Sequence, residues 1–397
     1  MIQAMKTVVT ASRLWDGANL ILDPLVELED GRITWLGPAA ARDTSPDAKR
    51  LDYPGATLAP AFFDVHIHGA GGHDVMEATP EALSAVSSFL ASRGTSSFLA
   101  TTVTAPLDTT LRSLEGIASQ ITKAQAGDWQ GAIPLGIHLE GPFLSHAKRG
   151  VHPPEYLLAP DITTFDRLYE AAAGSIRLIT LAPELPGAAE FAAHATARGV
   201  RVSVGHSNAL ASETKNVIAA GACSATHTFN AMRPLDHREP GILGTVLTTE
   251  TLYAEIICDG IHVHPLLVNL WWRAKGGQHA ILVTDAMSAT GMPDGEYLLA
   301  GLPVEVANGR ASLKDNDSVL AGSVLTLDKA LQNFVAFSGV PLQEALPLLT
   351  RNPAALTGLD DRAGTLRVGD TANLVALDHS CGTLLASIVN GQVQPTV

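Results

Sequence analysis

Two histidines one residue apart, His66 and His68, close the apolar segment 61–69 (AFFDVHIHG). Strand alternation puts both imidazoles on one side, and Gly69 marks a turn directly after them. Neutral imidazoles presented together are good ligands for zinc or ferrous iron. The plainer reading is a pair of polar residues at a strand edge, and it weakens because the pattern recurs. Other apolar runs end in His138-Leu139-Glu140-Gly141-Pro142, Gly205-His206-Ser207 and Thr226-His227-Thr228-Phe229-Asn230. Two more lead into Asp259-Gly260-Ile261-His262 and Thr284-Asp285-Ala286.

These residue types can do metal-assisted hydrolysis. Glu140, His206 and His227 make a two-nitrogen, one-oxygen set that leaves a position for water. His66 and His68 complete a second position, with Glu140 as the bridge. A bound divalent ion lowers the pKa of its water and makes hydroxide available near neutral pH. Asp285 is placed to take the water proton and pass it to a leaving group; the alternatives for it are a loop carboxylate or a helix N-cap. His138 shares a strand face with Glu140 and ranks below it, as a partner to the ligands.

Elements must bring these positions together. Apolar runs near 57–65, 96–101, 132–139, 176–181, 200–204, 222–227, 253–258 and 279–284 predict eight strands. Helical, alanine-rich stretches such as 80–93, 109–125, 187–198, 211–220 and 265–275 lie between them. That alternation predicts a (β/α)8 TIM-like barrel, with all the strand ends named above at one mouth. Periodicity alone leaves an open doubly wound sheet as an alternative. No GxGxxG or GxxxxGKS element supports a nucleotide fold, and Gly69-Ala70-Gly71-Gly72 lacks the spacing.

The two ends read differently. Asp16-Gly17 and Asp30-Gly31 are turn pairs, and Val26–Leu28 with Ile33–Leu36 reads as a hairpin. Runs at Ala363–Val368, Asn373–Leu377 and Leu384–Val389 are short and broken by glycines. A small β-sandwich built from both termini accounts for this, against two unrelated β appendages. The expected division is 1–55 and 357–397 for the sandwich, 56–356 for the barrel.

Composition narrows the function. A chain of 397 residues can bury one large core with a small second unit. Net charge of -14 argues against general nucleic-acid binding, though a few local cations can still hold one phosphate. Cys223, Cys258 and Cys381 form no disulfide framework. No apolar stretch is long enough for a membrane span, and residues 1–6 are not followed by a signal h-region. A cytoplasmic protein is expected.

The segments 64–69 (DVHIHG), 138–143 (HLEGPF), 205–207 (GHS), 227–232 (HTFNAM), 259–262 (DGIH) and 284–286 (TDA) together resemble the N-acetylglucosamine-6-phosphate deacetylases of the amidohydrolase superfamily. Asn352-Pro353-Ala354 and residues 364–375 are typical of the superfamily at large, while HLEGPF and HTFNAM are narrower. The resemblance spans nearly the whole chain. It implies an amidohydrolase barrel flanked by a sandwich, and hydrolysis of the acetamido group of N-acetyl-D-glucosamine 6-phosphate to the free amino sugar phosphate and acetate. It implies Glu140, His206 and His227 as metal ligands, with His66 and His68 matching a pair kept only in members that hold two ions. Zinc is the expected metal, ferrous iron the second choice, with one or two ions per subunit. The wider superfamily often uses a modified lysine between two metals; no lysine ends the run 177–181, and Glu140 takes that bridging place.

For the substrate, the resemblance implies phosphate contacts from Asn230, from Ala231 through its backbone N–H, and from Arg238, whose guanidinium suits phosphate oxygens. In a homodimer, the expected state, that arginine can come from the neighbouring subunit. His152 is implied as a sugar contact. His262 is implied to contact the sugar and polarise the amide carbonyl, with Asp285 as the acid-base group. Departures are Ala61 for a commoner glycine, Arg149 for a lysine, and Arg233 after Met232. They break no catalytic role but leave room for another substrate. The alternatives are the N-acetylgalactosamine 6-phosphate epimer, another amidohydrolase reaction, or a non-catalytic metal-binding scaffold.

Overall fold

The computed structural model describes residues 6–299 and 301–395. The expected segments 1–55 and 357–397 therefore begin and end outside the described residues, as does most of the stretch 1–6 considered for a signal peptide.

Eight parallel strands follow one another in sequence order: β1 (Phe62–Ile67), β2 (Thr95–Thr102), β3 (Ile133–Glu140), β4 (Ile176–Leu181), β5 (Arg201–Val204), β6 (Ala222–Ala225), β7 (Tyr253–Ile257) and β8 (Ala280–Val283). The order never reverses, so there is no switch point of the doubly wound kind. β1 and β8 meet just beyond their ends: Ile67 bridges Ala286, and the Asp285 N–H donates to the His66 carbonyl at 2.9 Å. The expected barrel is present. Both faces of the sheet are covered, so every residue of β1 and β2 is buried, the polar ones included.

Helices cover the outside for readable reasons. Thr79 caps Pro80–Ser92 by accepting the Ala82 N–H, and proline takes the first position. Leu107–Gln125 buries Thr110, Leu114, Ile117 and Ile121 at helical spacing.

The run expected at 57–65 is divided between two sheets. Lys49–Pro60 pairs with Thr7–Trp15 on one side and Leu374–Asp378 on the other, and the barrel strand starts only at Phe62. Continuous hydrophobicity does not show where a chain changes sheets. The second sheet is mixed and has eight strands from both ends of the chain. It folds back so that Arg32 bridges Thr371, enclosing Val9, Leu14, Val26, Ile33, Leu58 and Ile388. The predicted hairpin is there, with Leu28 opposite Ile33. Its turn has positive φ at both Asp30 (50°) and Gly31 (76°), the type I′ signature. Ala363–Val368 forms no strand. Gly364 at φ 85° breaks the extended path, and Leu366 packs as a buried loop residue whose N–H reaches Asp16.

An antiparallel sheet, outside the strand–helix alternation, is inserted after β8. Its strands are Gly295–Leu299, Leu302–Ala307, Arg310–Leu313 and Asn316–Leu320. Leu299, Val304, Val306 and Ala311 pack with Val103 and Val151 from barrel loops, so the sheet stands over the mouth. The signal was present in the alternation of 302–307 and the Asn308-Gly309 turn.

Candidate metal centre and active site

The strand ends do converge. Glu140 ends β3, and His206, His227 and Asp285 lie just past β5, β6 and β8. Glu140 Oε1 is 3.2 Å from His206 Nε2 and 3.2 Å from His227 Nε2, and those nitrogens are 3.0 Å apart. Ligands held 2.0–2.1 Å from a tetrahedral zinc lie about 3.3–3.4 Å from one another, close to this triangle. On the other side, His68 Nε2 is 3.3 Å from Glu140 Oε2 and 3.0 Å from Asp285 Oδ1. His66 Nε2 is 3.5 Å from Glu140 Oε1 and 3.4 Å from Asp285 Oδ1. Asp285 thus sits against the HxH pair.

Three of the outer nitrogens are tied down, while His227 Nδ1 is buried without a partner. His66 Nδ1 meets Glu255 Oε2 at 3.1 Å, His68 Nδ1 the Thr101 carbonyl at 3.1 Å, and His206 Nδ1 the Lys148 carbonyl at 2.9 Å. An N–H donated at Nδ1 leaves the Nε2 lone pair facing inward, the tautomer a metal needs. His66 Nε2 is fully buried without a hydrogen-bond partner, and this is the orphan a cation would satisfy. The donor set therefore fits a divalent ion.

His152 is held the opposite way. Its Nδ1 accepts the Thr104 N–H at 3.2 Å, so the ring proton lies on Nε2, which points to Glu140 Oε2 at 3.6 Å. In that tautomer it is a donor into the cavity, with its ring nitrogen still among the ligand atoms that gather around Glu140 and His206. Burial pushes its imidazole down to about 4, so it is neutral near pH 7. His138 is buried with Nε2 on the Thr180 hydroxyl and its ring edge-on to His66, packing beneath the cluster.

The cluster asks for positive charge. Burial opposes ionisation of Glu140, but His66 and the other histidines around it outweigh burial and hold the carboxyl well below its usual range. Asp285 is lowered in the same way, by His66 and His68 against burial. Burial pushes the Asp64 carboxyl up to about 7, against the bond it accepts from the Thr284 hydroxyl. Among the described residues, every ion pair of Glu140, Glu255 and Asp285 is with a histidine.

The backbone at these positions is unusual. His206 (φ 45°), His227 (27°), Ala231 (50°) and Asp285 (53°) are left-handed, a strain that collects at functional sites when the surroundings enforce it. For Asp285 the enforcement is visible: Ser323, on the return from the inserted sheet, donates its N–H to the Asp285 carbonyl at 2.7 Å and its hydroxyl to the Thr284 carbonyl at 2.6 Å.

A cavity of about 500 Å³ opens over the cluster, a size suited to a small molecule. His68, Glu140, His152, His206, His227 and Asp285 lie in its walls, with Asn230, Ala231 and His262. His262 is held by Asp259, whose Oδ2 lies 2.6 Å from Nδ1, leaving Nε2 for a ligand. Burial opposes the charge on Asp259, but the bonds from His262 and Ile261 keep its carboxyl low. Arg238 is not brought in. It is exposed, outside the lining of its own chain's cavity. Arg233 turns its guanidinium to the Asn208 carbonyl. The strand-end pattern of the sequence does not mark other contributors, among them Lys148, Leu299 and the lid segment Ser318–Leu320 in the cavity wall, and Glu255 behind His66. Glu255 had a signal, a lone carboxylate within an otherwise apolar strand; the lid needed the inserted sheet to be recognised first.

The amidohydrolase family model matches residues 57–397. The N-acetylgalactosamine-6-phosphate deacetylase of Escherichia coli O157:H7 is 37% identical over 374 residues, covering 94% of this chain and 96% of that one. The N-acetylglucosamine-6-phosphate deacetylase of Bacillus subtilis (strain 168) is 36% identical over 376 residues, covering 94% and 93%. Among solved structures, a mutant N-acetyl-D-glucosamine-6-phosphate deacetylase of Mycobacterium smegmatis in complex with N-acetyl-D-glucosamine-6-phosphate superposes with a TM-score of 0.90 at 34% identity, covering 98% and 99%. The chain belongs to the amidohydrolase family and, within it, to the N-acetylglucosamine-6-phosphate deacetylases.

Proposed function

We propose that this chain hydrolyses the acetamido bond of N-acetyl-D-glucosamine 6-phosphate, giving D-glucosamine 6-phosphate and acetate. The observation that carries this reading is a single cavity holding the carboxylate–histidine cluster, Asp285 and the Asp259-anchored His262. Glu140, His206 and His227 would hold one divalent ion, zinc before ferrous iron. His66 and His68, with Asp285 and the far oxygen of Glu140, would hold a second. Such an ion supplies a Lewis acid that activates water and polarises the acetyl carbonyl.

The protein's own groups then do the rest. Asp285 takes the proton of the attacking water and returns it to the amine as the C–N bond breaks. His262 Nε2 meets the developing charge on the carbonyl oxygen, held in place by Asp259. His152 offers its Nε2–H to the sugar. Asn230 and Ala231 hold the phosphate end, and Arg238 completes it from a partner subunit. Support for a homodimer comes from the position of Arg238 outside its own cavity.

Acetate release from N-acetylglucosamine 6-phosphate, its galactosamine epimer and unphosphorylated N-acetylglucosamine tests the assignment. The first substrate is expected to have the highest kcat/KM. Better turnover of the epimer would favour the second reading, which the Escherichia coli relative supports. No acetate from any of the three would sink both. Arg238→Ala should raise KM for the phosphorylated sugar about 10- to 100-fold, the worth of a lost charged hydrogen bond, while leaving kcat nearly unchanged. An unaltered KM would remove Arg238 from the site.

Geometry supports two ions: Glu140 Oε1 faces His206 and His227, while its Oε2 and Asp285 Oδ1 both face His68. A His66→Gln, His68→Asn double variant should lose one of two metal equivalents by elemental analysis. Wild-type stoichiometry in that variant would refute the second position.

No helix among the described residues is long and apolar enough to cross a membrane. Three unpaired cysteines suit a reducing compartment, in line with a cytoplasmic location, and the acidic chain suits a small-molecule partner over a nucleic acid.

A further inference from the structure

We propose that Glu255 is a positioning residue that ties the two ion positions to each other, an inference that rests on the two-ion reading above. Glu255 lies in the middle of β7 and is fully buried. Its Oε2 accepts two hydrogen bonds, one from His66 Nδ1–H at 3.1 Å and one from the backbone N–H of His227 at 3.2 Å. A single oxygen thus serves one ligand from each position. The backbone carbonyl of Glu255 also accepts the Thr228 N–H at 2.8 Å, so the turn carrying His227 is pinned twice by the same residue. His227 needs that hold, because its φ of 27° is rarely adopted by a residue with a side chain.

A carboxylate on Nδ1–H fixes the orientation and tautomer of a ligating imidazole and raises its basicity. Here it does so for His66. Glu255 Oε1 has no partner and no solvent, an expense that packing alone does not explain. An ion seated on His227 stiffens that turn, and the shared oxygen passes the constraint to His66. Occupation of one position therefore raises affinity at the other.

The test uses full-length protein, wild type and Glu255→Gln, freed of metal by chelation and titrated with Co2+. Calorimetry gives stoichiometry and affinity, and the visible absorption band reports ligand geometry. Wild type should take two equivalents. In Glu255→Gln the weaker equivalent should lose about 10- to 100-fold in affinity and its band should shift. Two wild-type affinities with an unchanged spectrum overturn the proposal, even if the metal-free variant is less heat-stable, because that pattern is a purely structural role. If Glu255→Gln does not fold, Glu255→Asp takes its place. It keeps the charge but is too short to reach both donors, and the same loss is expected. A wild type that takes one equivalent sinks the two-ion reading separately. In that event a weaker single ion in the variant still supports the hold on His227, and an unchanged one overturns it.

Discussion

Asp285→Asn is expected to lower kcat by about 10³- to 10⁴-fold, the upper range for loss of a general acid-base group. The substitution is nearly isosteric and keeps an oxygen, so the backbone bonds from Ser323 and to His66 survive. It removes the capacity to take a proton. The wild-type carboxylate stands in the cavity wall with Oδ1 3.0 Å from His68 Nε2, where it can take a proton from the attacking water and return it to the leaving amine. No nearby group can substitute. Glu140 is engaged by five histidines, and His152 is neutral with its Nδ1 already accepting from Thr104. The ion on Glu140, His206 and His227 should stay, since Asp285 faces the HxH pair instead. Steady-state acetate release with parallel metal analysis checks both halves. A variant with more than a tenth of wild-type kcat would end the assigned role.

Glu140→Gln is expected to cost more, because it removes metal along with activity. Oε1 faces His206, His227 and His66, and Oε2 faces His68 and His152. The side chain belongs to both positions, so neutralising it weakens both. Affinity should fall by more than about 100-fold, beyond what loss of an outer partner costs. The readout is thermal stability with zinc and with chelator. Binding to the folded state alone adds about 4 kcal/mol at a thousand-fold excess over Kd, so wild type should shift in Tm and Glu140→Gln should not. The HxH double variant should keep part of the shift. A Glu140→Gln protein that responds to zinc like wild type would mean the cluster is organised around another ligand.

Much of this site was readable because a parallel barrel obeys a simple rule: strand ends meet at one mouth. Given eight apolar runs, the polar residues after them become neighbours without further information, and His66, His68, Glu140, His206, His227 and Asp285 do lie within one cluster. The rule fails where the chain departs from alternation of strand and helix. Ala61 hides a change of sheet inside a continuous apolar run. The inserted sheet that brings Ser318–Leu320 over the cavity breaks the repeat altogether.

The sequence by itself determined the alternation of strands and helices and the set of groups able to hold a metal, since periodicity and residue type are local properties; closure of the sheet into a barrel is tertiary. Only the tertiary structure decided how those groups divide. Tautomer and direction depend on partners that are distant in the chain: Lys148 behind His206, Thr104 behind His152, Glu255 behind His66. Those contacts turned one histidine into a donor and others into acceptors, while the backbone bonds from Ser323 and to the His66 carbonyl set Asp285 against the HxH pair. Chemically identical imidazoles take different roles because the second ring nitrogen meets a different neighbour, and spacing along the chain carries no record of that.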